Sequence, residues 1–333
     1  MGSFGELPVS TLAASPHASV HGKGRIAYQT RVKSVLPVSP RVASEDLARG
    51  RVAIRYEDVL QNGALALGVL SAGLGASVWA QLLRDEDATR AMRERGEIPI
   101  LSRICLEAGA TPIAVGNALE MAGSHRLSHV LDEAGEVERI LVEMWADASA
   151  PLGRTHGPEP ERAGEVAVVG RIYAEHVLTR LFAAKEDRKV RAIDVPGQPR
   201  VPGPTVPLVH AASTFSLPEG AHALDEARVH PSPVVFGLGH TDSNQHVNSL
   251  VYLRMFEDLA LTSLGMLGRT PGAGLRSAEL AYRKPSFAGD RLEVLVRPFQ
   301  TEDGALGAVG AFREAHHELS RARTFVRLVF AHQ

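Results

Sequence analysis

Cysteine is nearly absent: Cys105 is the only one. A single thiol rules out an intramolecular disulfide framework and a cysteine-built structural zinc site. It lies in the apolar run Ile98-Pro-Ile-Leu-Ser-Arg-Ile-Cys-Leu106, which reads as the setting of a buried structural thiol. Lysine is scarce as well, at positions 23, 33, 185, 189 and 284 only, so arginine supplies most of the 36 basic residues. The 38 acidic residues leave a formal charge of −2, with no basic excess to neutralise phosphates, and a nucleic-acid partner is not expected. Aromatic residues make up 5% of the chain while glycine occurs 31 times, so the core has to be built from small and aliphatic side chains. The first twenty residues lack a basic segment followed by an apolar one. No secretory signal is read there, and a cytoplasmic location is the expectation.

What is present falls into two halves, as the length suggests at ~150 residues per domain. Residues 1–24, rich in Ser, Pro, Gly and Ala, read as a poorly ordered N-terminus. A first unit is expected over 25–150, a linker region over 151–207 and a second unit over 208–333. In the first unit, strand-like runs at 25–36 and 51–56 precede a helix-like stretch at 63–83. A charged connection (84–97) follows, then strand-like runs near 98–107, 111–122 and 137–147, with a hairpin turn at Gly135. A helix is expected at about 171–184 and the clearest linker at Pro196–Pro207. The second unit repeats the order: a short apolar run at 234–238, a polar loop, a helix over 247–267, and strands at 276–283, 290–299, 305–313 and 322–330.

No charged residue occurs from Gln61 to Gln81, a length that could span a bilayer. The Ala/Gly/Ser composition favours instead a helix enclosed by protein. In the second helix Arg254, Asp258 and Thr262 share one narrow arc, and Leu250, Leu253, Phe256, Leu259, Ala260, Leu264 and Leu267 cover most of the rest. A curved sheet around each helix would satisfy both patterns. Glu257 falls on the apolar part of the second helix and is expected to pair with a strand arginine.

The chemistry-bearing stretch is His240-Thr-Asp-Ser-Asn-Gln-His-Val-Asn248, which ends where a helix begins. Free N–H groups at a helix start can hold a carbonyl oxygen as negative charge develops on it. A carboxylate just upstream can act as base or nucleophile, with Asn and His to orient it. A helix cap would explain one such residue but not the whole run. A metal site, with His316 and His317 as further ligands, is a rival reading, and no metal or other cofactor is assigned. The first loop, Tyr56–Ala64, aligns without gaps against His240–Asn248, which would match Asp58 to Asp242 and Gln61 to Gln245.

Asp242-Ser-Asn-Gln-His-Val-Asn-Ser-Leu-Val-Tyr252 resembles the signature of hotdog-fold acyl thioesterases, above all those acting on acyl-carrier protein, in which a D-x-N-x-H-V-N-N-x-x-Y run opens the central helix. Glu279-Leu-Ala-Tyr-Arg-Lys-Pro-Ser-Phe-Ala-Gly-Asp290 resembles that family's next strand. The resemblance implies an α+β double hotdog, two antiparallel sheets each wrapped around a long central helix. It also implies hydrolysis of an acyl thioester carried by acyl-carrier protein or coenzyme A, without a cofactor, and leaves room for a homodimer. By matched position Asp242 would be the catalytic carboxylate, with Asn244 and His246 as partners. Amides around Val247 and Asn248 would face the thioester oxygen, and Tyr252 and Asp58 would border the substrate.

Three positions depart from the family: Ser249 replaces the second asparagine, and Pro285 and Ser286 stand where plant-type members carry Glu and Cys. In the first loop Leu60 and Asn62 would replace the Asn and His, leaving one working site. The small residues Gly68, Ala72, Gly73, Gly75 and Ala76 would shape an acyl tunnel or pack closely against a sheet. Arg283 and Lys284 read as strand-end cations within reach of a pantetheine phosphate. Two other activities fit the same pattern: a thioester dehydratase or isomerase with His246 as base, and a non-catalytic binder of acyl or polyketide intermediates.

Overall fold

The strands alternate along one continuous path. The structure, a computed structural model, describes residues 34–195 and 197–332. Residues 1–24, and 25–33 of the first strand-like run, lie outside the described residues. β1 (Ala48–Ala53) leads through a 3₁₀ turn at Tyr56–Asp58 to α1 (Val69–Leu74), a π-helical turn (Gly75–Trp79) and α2 (Ala80–Leu82). α3 (Glu86–Glu94) precedes β2 (Ile98–Ala108), β3 (Ala118–Leu131), β4 (Val137–Pro151) and β5 (Val166–Thr179). The two-residue strands β6 (His222–Ala223), β7 (Arg228–Val229) and β8 (Val234–Val235) come before α4 (Ser249–Met266). β9 (Leu275–Tyr282), β10 (Arg291–Gln300), β11 (Leu306–Arg313) and β12 (Thr324–Phe330) complete the chain.

The expected pair of sheets is one sheet. Its twelve strands run β1-β3-β4-β5-β2-β9-β12-β11-β10-β6, with β7 and β8 also on β10, and all pairings are antiparallel. The join is β2 against β9, with Arg103 opposite Ala281, Cys105 opposite Glu279 and Glu107 opposite Ser277. An open edge on β2 would expose unpaired backbone groups, and β9 satisfies them. α1 packs against β1, β3, β4 and β5, and α4 against β10, β11 and β12. Their buried faces contribute to a single apolar cluster that includes Leu70, Val78, Phe256 and Leu264. Each fully buried side chain of that size contributes about 1.5–3 kcal/mol.

Several sequence expectations meet corrections. Residues 171–184 are not a helix: 166–179 is β5, inside the sheet between β4 and β2, so the expected linker region contains a central strand. β5 is covered on both faces, with Ile172 and Ala174 in the main core and Tyr173 in the cluster with Cys105 and Trp145. A strand buried on both sides loses the alternation that would mark it. The charged connection holds α3, started by the Asp85 side chain accepting from the Ala88 N–H at 3.0 Å. β3 begins at Ala118 rather than 111.

The second-half expectations hold to within a few residues. Arg254, Asp258 and Thr262 are exposed as their arc requires, although Leu267, just past the helix, is 38% exposed. Gly135 turns the β3–β4 hairpin at φ 82°. Cys105 is fully buried beside Trp145 and Tyr173, and burial pushes its thiol well up. Glu257 makes no ion pair among the described residues, and burial raises its carboxyl. Gly73 leaves the space that the Met121 side chain fills, which is close packing of α1 on β3. Among the described residues no helix is long and apolar enough to cross a membrane.

Candidate active site

Residues 241–247 form a closed loop whose shape follows from a few local bonds. Thr241 and Val247 pair as an antiparallel bridge, and the Asp242 N–H donates to the His246 carbonyl at 3.1 Å. The Gln245 N–H donates to the Asp242 carbonyl at 2.9 Å, and Gln245 takes a left-handed φ of 65°. That conformation costs a non-glycine residue energy and is more often kept where a loop is functional. The Asp242 carboxylate accepts the Asn244 N–H at 2.9 Å and lies 3.9 Å from His246 Nδ1. Both side chains are partly exposed, at 29% and 39%. Asn244 is exposed and its carboxamide makes no hydrogen bond among the described residues.

The loop feeds directly into α4. Asn248 is its N-cap, with Oδ1 accepting the Leu250 N–H at 3.0 Å. The amides expected to receive a thioester oxygen are both engaged: Val247 N–H donates to the Ser286 carbonyl at 2.7 Å, and Asn248 N–H to the His240 carbonyl at 2.9 Å. The reason is local. The bridge that shapes the loop, and the β9–β10 connection beside it, need those two donors. Tyr252 is 2% exposed and sits in an aromatic cluster with Phe236, Tyr282 and Phe312, so it belongs to the core under the loop. Burial raises its phenol, with Ser286 beside it as hydrogen-bond partner.

Sequence reasoning missed Arg323. Its guanidinium meets Asp290 and Glu314, and reaches the Pro285 carbonyl and the Ser286 hydroxyl at 3.4 Å. It thereby fixes the connection to which Val247 is bonded, and it holds the Glu314 carboxyl below the usual range. No motif marks an arginine just before the last strand for this task. Ser286, which the resemblance sets where plant-type members carry cysteine, is fully buried against that arginine. Arg283 donates to the carbonyls of Ser320 and Ala322, and Lys284 is exposed. Among the described residues no group of three His, Cys, Asp or Glu side chains could hold a metal ion.

The first loop has the same shape, in a different register from the gapless alignment. Val59 and Leu65 pair as Thr241 and Val247 do, Leu60 N–H donates to Ala64, and Gly63 N–H donates to Leu60. Gly63, at φ 86°, occupies the position of Gln245. Leu60 therefore stands at the place of Asp242, Asn62 at Asn244 and Ala64 at His246. Asp58 corresponds to His240: its carboxylate accepts the Arg55 N–H at 2.9 Å, as His240 Nδ1 accepts the Gly237 N–H at 3.0 Å. Asp58 is buried and ion-paired to Arg55, which raises the arginine, so it does not join the second loop as sequence reasoning expected. Asn62 Nδ2 donates to the Ala273 carbonyl at 2.6 Å, and Leu60 fills the space beside Gly274. The first loop is thus spent on contact with the second half.

Among solved structures, the 12:0-ACP thioesterase from Umbellularia californica matches with a TM-score of 0.53 at 15% identity, over 86% of this chain and 94% of that one. A protein assigned as an oleoyl thioesterase from Lactobacillus plantarum matches with a TM-score of 0.52 at 12% identity, over 86% and 96%. No protein-family model and no curated protein sequence matches the chain. At these identities the likeness establishes the fold, and the resemblance to hotdog thioesterases holds at that level.

Proposed function

We propose that the protein is an acyl-thioester hydrolase with one active site, at Asp242, Asn244 and His246. The observation that carries this reading is the loop itself: a partly exposed carboxylate, an exposed carboxamide and an imidazole gathered at the start of α4. The fold shared with thioesterases supports it. A water placed between Asp242 and the thioester carbonyl would give its proton to the carboxylate as its oxygen bonds to the carbonyl carbon. The C–S bond then breaks, the acid is released, and the thiolate takes a proton. His246, 3.9 Å from the carboxylate, would hold that water or protonate the thiolate, since catalytic hydrogen bonds commonly tighten only with substrate bound. Asn244 is free to meet the thioester oxygen. The acyl group is carried by acyl-carrier protein or coenzyme A.

The cysteine that plant-type thioesterases carry after the strand matching β9 has no counterpart here, and Ser286, buried in the β9–β10 connection, does not replace it. The first loop, with Leu60 and Ala64 at the places of Asp242 and His246, lacks the carboxylate and the imidazole that this step uses. The test is thiol release across a panel of acyl-CoA and acyl-carrier-protein thioesters, with Asp242→Asn beside the parent. Free thiol and free acid are expected in equal amounts from the parent, and about 10²–10⁴-fold more slowly from the variant. Turnover of Asp242→Asn at the parent rate would remove the assignment, and an enoyl product from a 3-hydroxyacyl thioester would replace hydrolysis with dehydration.

A further inference from the structure

The sheet face that carries Cys105, Trp145 and Tyr173, opposite the one that receives the helices, holds a cavity of about 420 Å³. It lies between the strands of the β4-β5-β2-β9 centre and the chain segment Pro207–Ala211. Its size falls within the range of small-molecule sites. Cross-strand register explains the floor: Leu141 on β4 stands opposite Val177 on β5, and Val177 opposite Ile100 on β2. These three make an apolar row across three strands. Val209 roofs it and, like Ile100, is 38% exposed, so two large apolar side chains face the space without closing it.

The edges of the row are cationic. Arg283 bonds only to the carbonyls of Ser320 and Ala322, so no carboxylate among the described residues offsets its charge. Arg139 shares the Glu138 carboxylate with Lys189, one anion between two cations. Arg103 is matched by Glu279. The one acidic side chain lining the cavity, Glu175, already accepts from the Ser102 hydroxyl at 2.6 Å and the Tyr173 hydroxyl at 3.3 Å. An apolar row flanked by surplus positive charge suits a ligand with an apolar body and a single anionic head.

We propose that this cavity binds an amphipathic monoanion, a carboxylate or sulfate on an unbranched hydrocarbon tail, at a site separate from the Asp242 loop. The tail lies along Leu141, Val177 and Ile100, and the head meets the arginine edge. Binding here does not depend on thioester hydrolysis. If hydrolysis is confirmed, the acid it releases is one source of such an ion.

Isothermal titration of the full chain with decanoate, decyl sulfate, decanol and butyrate tests the proposal. Decanoate and decyl sulfate are expected to bind, and decanol and butyrate at least about tenfold more weakly, because each lacks the head or the tail. Val209→Trp, which fills the cavity from its roof, is expected to remove one binding equivalent. Arg139→Gln is expected to weaken that equivalent about three- to tenfold. Any uptake at the Asp242 loop remains in both variants, which are checked for parent-like thermal unfolding. Identical titrations for parent and Val209→Trp overturn the proposal, as does equal affinity for decanol and decanoate. An inactive but ligand-binding protein would overturn the hydrolase reading and leave this one standing.

Discussion

Asp242 owes its position to neighbours within six residues: the Asn244 and Gln245 amides, the His246 carbonyl, and the Thr241–Val247 bridge. Asp242→Asn keeps the size and the acceptor for Asn244 but removes the base. Loss of a general base of this kind costs about 10²–10⁴ in kcat, and thiol release should fall by that much while the urea midpoint stays within the parent's range. His176 is the residue where burial is expected to show as pH dependence. It is 6% exposed, meets the Trp79 ring edge-on at 4.9 Å, and its Nδ1 has no partner. Burial lowers the imidazole to about 4 from 6.5. Between those values the unfolded chain holds more protons than the folded one, so stability rises with pH. The contribution is complete above about pH 6.5 and is lost as pH falls toward 4, on the order of 3 kcal/mol in all. His176→Leu should therefore flatten the difference between urea midpoints at pH 7 and pH 5; an unchanged slope would place the dependence elsewhere.

At the scale of elements, α4 joins chemistry to packing. Its first residue follows directly on the loop, its N-cap is Asn248, and Phe256 lies against Gly310 of β11 with no room for a Cβ. Gly310→Ala should cost about 1–3 kcal/mol by overpacking, measured as a lower urea midpoint with unchanged m. Asn248→Ala should cost about 1 kcal/mol through loss of the cap and should also lower turnover, because the loop is anchored there. α4 was legible in the sequence because one arc of it, Arg254-Asp258-Thr262, is wet while Leu253, Phe256, Leu259, Ala260 and Leu264 are buried. β5 was not, because both its faces are covered. α3 was hidden because Ala88, Ala91 and Met92 are its only apolar residues among charged ones; none is fully buried, although Met92 packs on the core.

Across the whole molecule, the β2–β9 join merges two similar halves into one sheet, and a row of buried charge crosses it. Arg103 on β2 meets Glu279 on β9 at 2.7 Å, and Glu279 also meets Arg327 on β12. Glu279 is 2% exposed. Glu279→Gln would leave two arginines short of their anion in a dry setting, which typically costs about 3–5 kcal/mol. Because the join and the core are shared, urea unfolding followed by Trp fluorescence and by far-UV circular dichroism should give one coincident transition, with Glu279→Gln lowering its midpoint without splitting it. Separate transitions would show that the halves fold as independent domains.

The local pattern of residues is enough to place the second half's helix and strands, the loop at 240–248 with its carboxylate, amide and imidazole, and the burial of Cys105. Each rests on neighbours close in the chain, through periodicity, capping and turn bonds. Contacts between distant segments make two sheets one, engage the Val247 and Asn248 amides, and put Leu60 rather than Asp58 at the place of Asp242. The same contacts bring Arg323 to the loop's support and leave Glu257 without an arginine among the described residues. Those outcomes depend on which distant groups compete for the same donor, edge or cavity. A linear pattern carries no record of that competition.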